Sequence, residues 1–221
     1  MLTHALPLLA LAWTMAAVLM LALWLWHLGS RNAAVVDVGW AGGLALAALV
    51  DLGVANGDPV RRWVACLMMA IWGARLAAFL LTMRVAGRSE DPRYAELRRA
   101  HDPTANRWFF WFFQAQALLV VLLSWPIVVC AIDPNPVISP LVWIGLVVWI
   151  VAVVSEGIAD RQLHAFTANP SNRGHTCRVG WWRYSRHPNY FFEWLVWVGY
   201  ALVATASPGG PFAWLCPALM L

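Results

Sequence analysis

Lysine is absent from this sequence: all 15 basic side chains among its 221 residues are arginine. That suits sites that hold phosphate or carboxylate groups in two-point contact, and genomic base composition explains it equally well. Charge of either sign is scarce, since 12% of the residues are charged and 62% are hydrophobic, whereas soluble domains carry about 25% and about 45–50%. A water-soluble globule is excluded. The same balance excludes a disordered chain and a collagen-like repeat. The four cysteines, Cys66, Cys130, Cys177 and Cys216, are widely spaced with no C-x-x-C pair, which excludes a disulfide scaffold and reads as reduced core thiols. No Gly-x-Gly-x-x-Gly and no Walker sequence occurs, so any nucleotide is held between helices and loops.

What is present is apolar sequence in long runs. At about 20 residues per bilayer-spanning helix the apolar content is enough for six or seven spans. Runs with few or no charges lie at 5–28, 35–54, 63–83, 109–132, 141–158 and 190–206, and a seventh begins near Pro211. The expected fold is therefore all-α, a polytopic transmembrane bundle with six complete spans and the start of a seventh, forming one integral domain over residues 1–221. The first run lacks a basic n-region and is too long for a signal peptide, so it is read as a retained span. The last run reaches Leu221 about half a membrane thickness after it starts, which reads as a truncated seventh helix.

Arginine placement sets the orientation. Arg31, the group Arg84, Arg88, Arg93, Arg98, Arg99 and Arg107, and the group Arg161, Arg173, Arg178, Arg183 and Arg186 all fall on one side, against Arg61 and Arg62 on the other. The positive-inside rule then places the N-terminus outside and both long polar loops in the cytoplasm. Basic residues interleaved with acids at a membrane face exclude nucleic acid as a partner; the expected partners are the bilayer and a lipophilic small molecule, with no obligate protein partner.

Charges inside spans are unfavourable by about 2.5–3.5 kcal/mol on insertion scales, so each is a functional candidate unless it lies near an end. Asp37 stands about two residues into the second run, either as an interfacial acid paired with Arg31 or as a site residue. Arg75 lies near the middle of the third run, too deep to snorkel, and needs a buried anion or a polar cavity. Glu193 opens the last complete run, where an acid also suits the positive end of a helix dipole.

The loops carry two unusual stretches. Glu90-Asp91-Pro92-Arg93-Tyr94 alternates acids and arginines around a phenol, a pattern that a solvated face would also show. Arg183-Tyr184-Ser185-Arg186-His187-Pro188-Asn189-Tyr190 gathers two guanidinium groups, an imidazole, an amide and two phenols. Such a cluster supplies donors for phosphates and carboxamides and ring faces for stacking a base. His187 has no second His, Cys or acid at ligand spacing, so no metal is expected.

These residues carry a resemblance. Asp160-x-Gln162, the run Gly180-x-Trp182-x-Tyr184-Ser185-Arg186-His187-Pro188-Asn189-Tyr190 and Glu193 resemble the C-terminal half of the steroid 5-alpha-reductase family. Val36-Asp37-Val38-x-Trp40, Trp72-Gly73-x-Arg75-Leu76 and Glu90-Asp91-x-Arg93-Tyr94 resemble, more closely, its bacterial branch of unknown function, of the DUF1295 type. The likeness runs from about residue 32 to residue 206. It implies a seven-helix reductase, in a bacterium an inner-membrane protein, that binds NADPH from the cytoplasmic side and delivers hydride to the carbon–carbon double bond of an enone. Cofactor contacts implied by motif are Arg75, Arg93, Tyr94, Asp160, Arg183, Tyr184, Arg186, His187, Asn189, Tyr190 and Glu193. Hydride addition builds negative charge on the enone oxygen, which a donor aimed at that oxygen stabilises.

The chain departs from the family in three places. Animal members bind the substrate carbonyl with a glutamate on the second span and a tyrosine on the third; here the corresponding candidates are Asp37 and Trp72. The expectation is that Asp37, protonated in an apolar setting, gives the proton or the hydrogen bond. Phe192 stands where relatives carry glycine, and the family's C-terminal segment is missing. Membrane methyltransferases that use S-adenosylmethionine share an Arg-His-Pro-x-Tyr turn before an apolar helix and an acid. Asp160-x-Gln162, Asn189 and the Glu90–Tyr94 stretch favour the reductase, and a lipid-binding scaffold would leave Arg75 and the Asn189–Glu193 cluster without a purpose.

Overall fold

The computed structural model describes residues 2–221. Proline and a capping side chain together start three of its α-helices, because proline has no N–H to leave unsatisfied in a first turn. Asp58 accepts from the Arg61 N–H at 3.0 Å and Pro59 opens α3 (Pro59–Leu80). Asp91 and Pro92 do the same for α4 (Pro92–Ala100), and Ser139 and Pro140 for α6 (Pro140–Ala168). The other helices are α1 (Leu2–Ser30), α2 (Val35–Val54), α5 (Ala105–Ile132), α7 (Pro188–Ala204) and α8 (Leu215–Leu219).

Five helical stretches are long and apolar enough to cross a membrane: α1, α2, α3 with its π-helical extension to Val85, α5 and α6. The sixth expected span, α7, has 17 residues, about 26 Å at 1.5 Å per residue and the lower end of what crosses the hydrocarbon. The chain is an all-helical, multi-pass membrane protein. Large apolar side chains on the outer faces, such as Trp13, Ile144 and Val147, are about half exposed, as a helix facing lipid requires.

The structure revises three boundaries. Where a polar loop was expected, α4 forms, set by its Asp91 cap and first-turn proline. The α6 helix continues ten residues past the expected 158, to Ala168, because no proline interrupts it before Pro170. After Gly209, which takes a left-handed φ of 77°, the chain turns through a 3-10 stretch (Gly210–Trp214) into the short α8, so the expected seventh run is two short turns and not one straight helix start.

The chain packs as two compact units. In the first, which ends at Pro136, α2 lies against α3 and α5 while α1 lies against α5. Its fully buried side chains include Trp72, Phe109, Phe113 and Arg61. In the second, Val137–Leu221, α6 and α7 form the main contact. They cross where both lack a side chain: a Cβ on Gly145 would lie 2.8 Å from the Gly199 carbonyl oxygen, and one on Gly199 would lie 2.9 Å from the Trp149 Cβ. Small residues at such a crossing let backbones approach where lipid supplies no hydrophobic drive.

Candidate functional site

In the first unit the polar residues converge at the start of α2. Asp37 sits on the first turn of α2 with its side chain 27% exposed. Its Oδ1 accepts from the Tyr94 hydroxyl at 2.7 Å, its Oδ2 accepts from Arg84 Nη1 at 3.3 Å, and Arg93 Nη2 stands 3.9 Å away. The expected apolar setting is therefore absent: three donors surround this carboxyl group, and it works as an acceptor. Its expected interfacial partner Arg31 is replaced by Arg84 and Arg93.

Tyr94 is buried, with its ring 6.2 Å from Phe112 and 6.5 Å from Phe109. Burial and the nearby Asp37 charge push its phenol well above the ordinary value. Tyr94 thus keeps its proton and remains a hydrogen-bond donor. Arg93 grips Asp91 in a fork at 3.2 and 3.1 Å, and this contact holds the Asp91 carboxyl below its usual range.

A second fork, unseen in the sequence, ties α4 to the entrance of α2. Glu90 accepts from Arg98 at 3.1 and 2.7 Å and from the Ala33 N–H at 2.9 Å. Burial works against the Glu90 charge, but Arg98 and Ala33 outweigh it and hold the carboxyl below its usual value. The remaining candidates of this unit lie on α3. Trp72 is fully buried, edge-to-face with Trp40 at 5.9 Å, and Arg75 is half-buried one turn later.

In the second unit the loop between α6 and α7 is held by its own motif residues. Gln162 Oε1 accepts from the Trp181 N–H at 2.9 Å, and Trp182 Nε1 donates to the Ala159 carbonyl at 2.9 Å. Gly180 has a φ of 57°, a left-handed conformation that favours glycine, and a Cβ there would push the Gln162 amide out of its place. Asn189 Nδ2 donates to Asp160 Oδ1 at 3.2 Å, joining the two helices at the base of this loop.

The folded loop encloses an open groove of about 950 Å³ whose wall includes Arg178, Arg183, Tyr184, Arg186, His187 and Cys177. Four motif residues thus face one space, Tyr184 81% exposed among them. Tyr190 and Glu193 do not line it; they face a separate cavity along α7. Three guanidinium groups, a phenol and an imidazole around this volume can bind an extended polyanion that carries planar rings.

The profile of a family described as a protein of unknown function, DUF1295, matches residues 23–221. The chain belongs to the DUF1295 family. No curated protein and no solved structure matches it. In this DUF1295 chain the sequence reading passed over Arg84, the Glu90–Arg98 fork and Arg178. It also passed over two acids within helices, Asp51 on α2 and Glu156 on α6, which are 2% and 3% exposed. Their signal was available, since each interrupts an apolar run.

Proposed function

We propose that the chain is a membrane-embedded, NADPH-dependent reductase of the steroid 5-alpha-reductase type that transfers hydride to the carbon–carbon double bond of a lipophilic enone. The observation that carries this reading is the groove: Arg178, Arg183 and Arg186 line it together with Tyr184 and His187. Its donor set fits the cofactor, guanidinium groups for phosphates in two-point contact and ring faces for the base or nicotinamide. When bound, NADPH supplies the hydride.

The chain's own residues do the rest. Arg183 and Arg186 hold phosphate, Gln162 fixes the Trp181 backbone, and Asp160 fixes the Asn189 amide. On the first unit, Arg75, Arg93 and Tyr94 enter this reading only as cofactor contacts that the family likeness implies, and Trp72 only as the residue at the family's carbonyl-binding position. Asp37 is a positioning residue, acting through Tyr94 and Arg93. With the arginine-rich loops in the cytoplasm the groove opens to the soluble cofactor pool, at a bacterial inner membrane with the N-terminus outside.

The competing reading is an S-adenosylmethionine-dependent methyltransferase of the isoprenylcysteine or phospholipid type, favoured by the Arg186-His187-Pro188 turn that opens α7. The test is binding by purified protein in detergent: nicotinamide fluorescence for NADPH, calorimetry for S-adenosylmethionine. Saturable NADPH binding supports the reductase; saturable binding of S-adenosylmethionine alone overturns it.

A further inference from the structure

Helices α1 and α5 contain no aspartate or glutamate, and they pack against each other in the first unit. Arg107, on the first turn of α5, is exposed. The ion pairs on this rim take up Arg84, Arg93 and Arg98. Among the described residues Arg107 takes part in none, and Asp102, the nearest acid before it in the chain, is exposed and equally unpaired.

Below Arg107 one exposed stripe continues along α5 through Trp111, Ala115, Leu118 and Leu122. Steps of three and four residues keep these side chains on one face. Trp111 is 66% exposed, and Leu118 and Leu122 are about half exposed. The indole stands at the end of an aromatic band: Trp24 Nε1 on α1 donates to the Asn106 carbonyl at 2.9 Å, Trp24 meets Phe110 edge-on at 5.3 Å, and Phe110 meets Trp111 edge-on at 5.1 Å. The band runs from the seam between the two helices to the outer face, one turn below an unpaired guanidinium.

We propose that this stripe binds an anionic phospholipid of the bilayer, with the headgroup phosphate on Arg107, the ester region against Trp111 and the acyl chains along Leu118 and Leu122. The rise of about 6 Å from Arg107 to Trp111 matches the roughly 5–8 Å that the headgroup layer adds on each side of the hydrocarbon. A guanidinium takes phosphate in two-point contact, and an indole settles at the boundary between headgroup and acyl chain. The ammonium of a zwitterionic lipid offsets the phosphate charge that Arg107 meets, so the site selects a headgroup with net negative charge. This goes beyond the reductase reading and uses none of the residues assigned to cofactor or substrate.

The experiment uses the full chain in nanodiscs of equal phosphatidylglycerol and phosphatidylcholine, with the photocrosslinker p-benzoylphenylalanine in place of Ala115; mass spectrometry after illumination counts which lipid is attached. The same crosslinker in place of Val147, an exposed position of α6 in a stretch without arginine, is the reference. Phosphatidylglycerol adducts are expected to exceed phosphatidylcholine adducts about fivefold at position 115, the ratio that one arginine near a lipid surface gives, and to be about equal at position 147. Arg107→Gln brings the two lipids to equality at position 115, Arg107→Lys keeps most of the excess, and added salt reduces it. Equal capture of both lipids at position 115 beside the native Arg107 overturns the proposal. So does an excess of the same size at position 147, and so does an excess that survives Arg107→Gln, which would assign it to the general charge of the rim.

Discussion

Tyr94 donates its phenolic hydrogen to Asp37 Oδ1 at 2.7 Å across 57 positions of sequence. The bond joins a short helix outside the apolar spans to the first turn of α2, and it explains why a tyrosine lies buried on an otherwise polar segment. A hydrogen bond to a carboxylate contributes about 1.5–3 kcal/mol, and Asp37 is partly exposed, so Tyr94→Phe is expected to destabilise the first unit by roughly 1–2 kcal/mol. Asp37→Asn also releases Arg84. A double-mutant cycle on thermal unfolding in detergent checks the pair: strict additivity would contradict a direct bond. In the proposed reductase Asp37→Asn lowers turnover more than NADPH affinity.

The Glu90–Arg98 and Asp91–Arg93 forks give α4 an acid sensitivity. Both carboxyls titrate below their ordinary values in the folded protein. Their contribution is thus complete above about pH 4.3, the value for a free glutamate, and is lost as pH falls further toward the folded values. The native cysteines are all buried, so a spin label at Glu96→Cys reports on α4 alone. Its mobility is expected to rise below about pH 4. Glu90→Gln is expected to show raised mobility already at neutral pH; a label equally immobile in that variant would remove Glu90 from the anchor.

Much of the fold was legible because hydropathy measures a transfer free energy summed over a window, and α1, α2, α5 and α6 each reach or exceed the length that crosses the bilayer. The loop motif was legible too, since Arg183, Tyr184, Arg186 and His187 do line one groove. What a window sum cannot see is which charges meet. Arg31 was the nearest candidate for Asp37 in sequence, yet the helix packing delivers Arg84 and Arg93. Periodicity also could not separate Tyr190 and Glu193 from their neighbours. They follow His187 by three and six residues, but the turn into α7 directs them to another cavity. Helix α4 was missed because its mixed charge gives no apolar face to detect, although its Asp-Pro start was in plain sight.

The groove arginines are expected to behave as phosphate contacts. Arg183→Ala and Arg186→Ala each weaken NADPH binding about tenfold. Because the groove is open, wild-type affinity falls with added salt and falls less steeply in either variant. Asn189→Ala also weakens binding, through the lost Asp160 contact. Salt-titrated fluorescence measures all three; an unchanged salt slope in both arginine variants would remove these side chains from the phosphate site.

The α6–α7 crossing tolerates no side chain. Gly145→Val places branched atoms where a single Cβ already lies 2.8 Å from Gly199 O and Val203 N. Backbone cannot yield as a flexible side chain can, so the loss is expected at or above the roughly 1–3 kcal/mol of ordinary overpacking. Gly53→Ala on α2, where nothing lies within 4 Å of the added carbon, is the control. Its helix propensity gain of about 1 kcal/mol makes it neutral to stabilising. Folded yield after detergent extraction should separate the two, and equal yields would contradict the close approach.

Arg61 and Asp133 form a buried ion pair at 3.3 Å with both side chains about 1–2% exposed, and Arg61 Nη2 also donates to the Asn135 carbonyl at 3.3 Å. Their segments are also joined by backbone bonds, Gly57 N–H to Ala131 O at 2.9 Å and Asp58 N–H to Asp133 O at 2.7 Å. Removing one partner takes the opposite charge away from a buried ion, a loss of up to about 3–5 kcal/mol, whereas replacing both with apolar residues of similar size is often close to neutral. Arg61→Met and Asp133→Leu alone are therefore each expected to lower the unfolding temperature strongly, and the double variant to recover most of that loss. Recovery would identify the pair as a structural clamp. A double variant as unstable as its worse parent would show instead that Arg61 is needed for its bond to Asn135, with Asp133 the lesser partner.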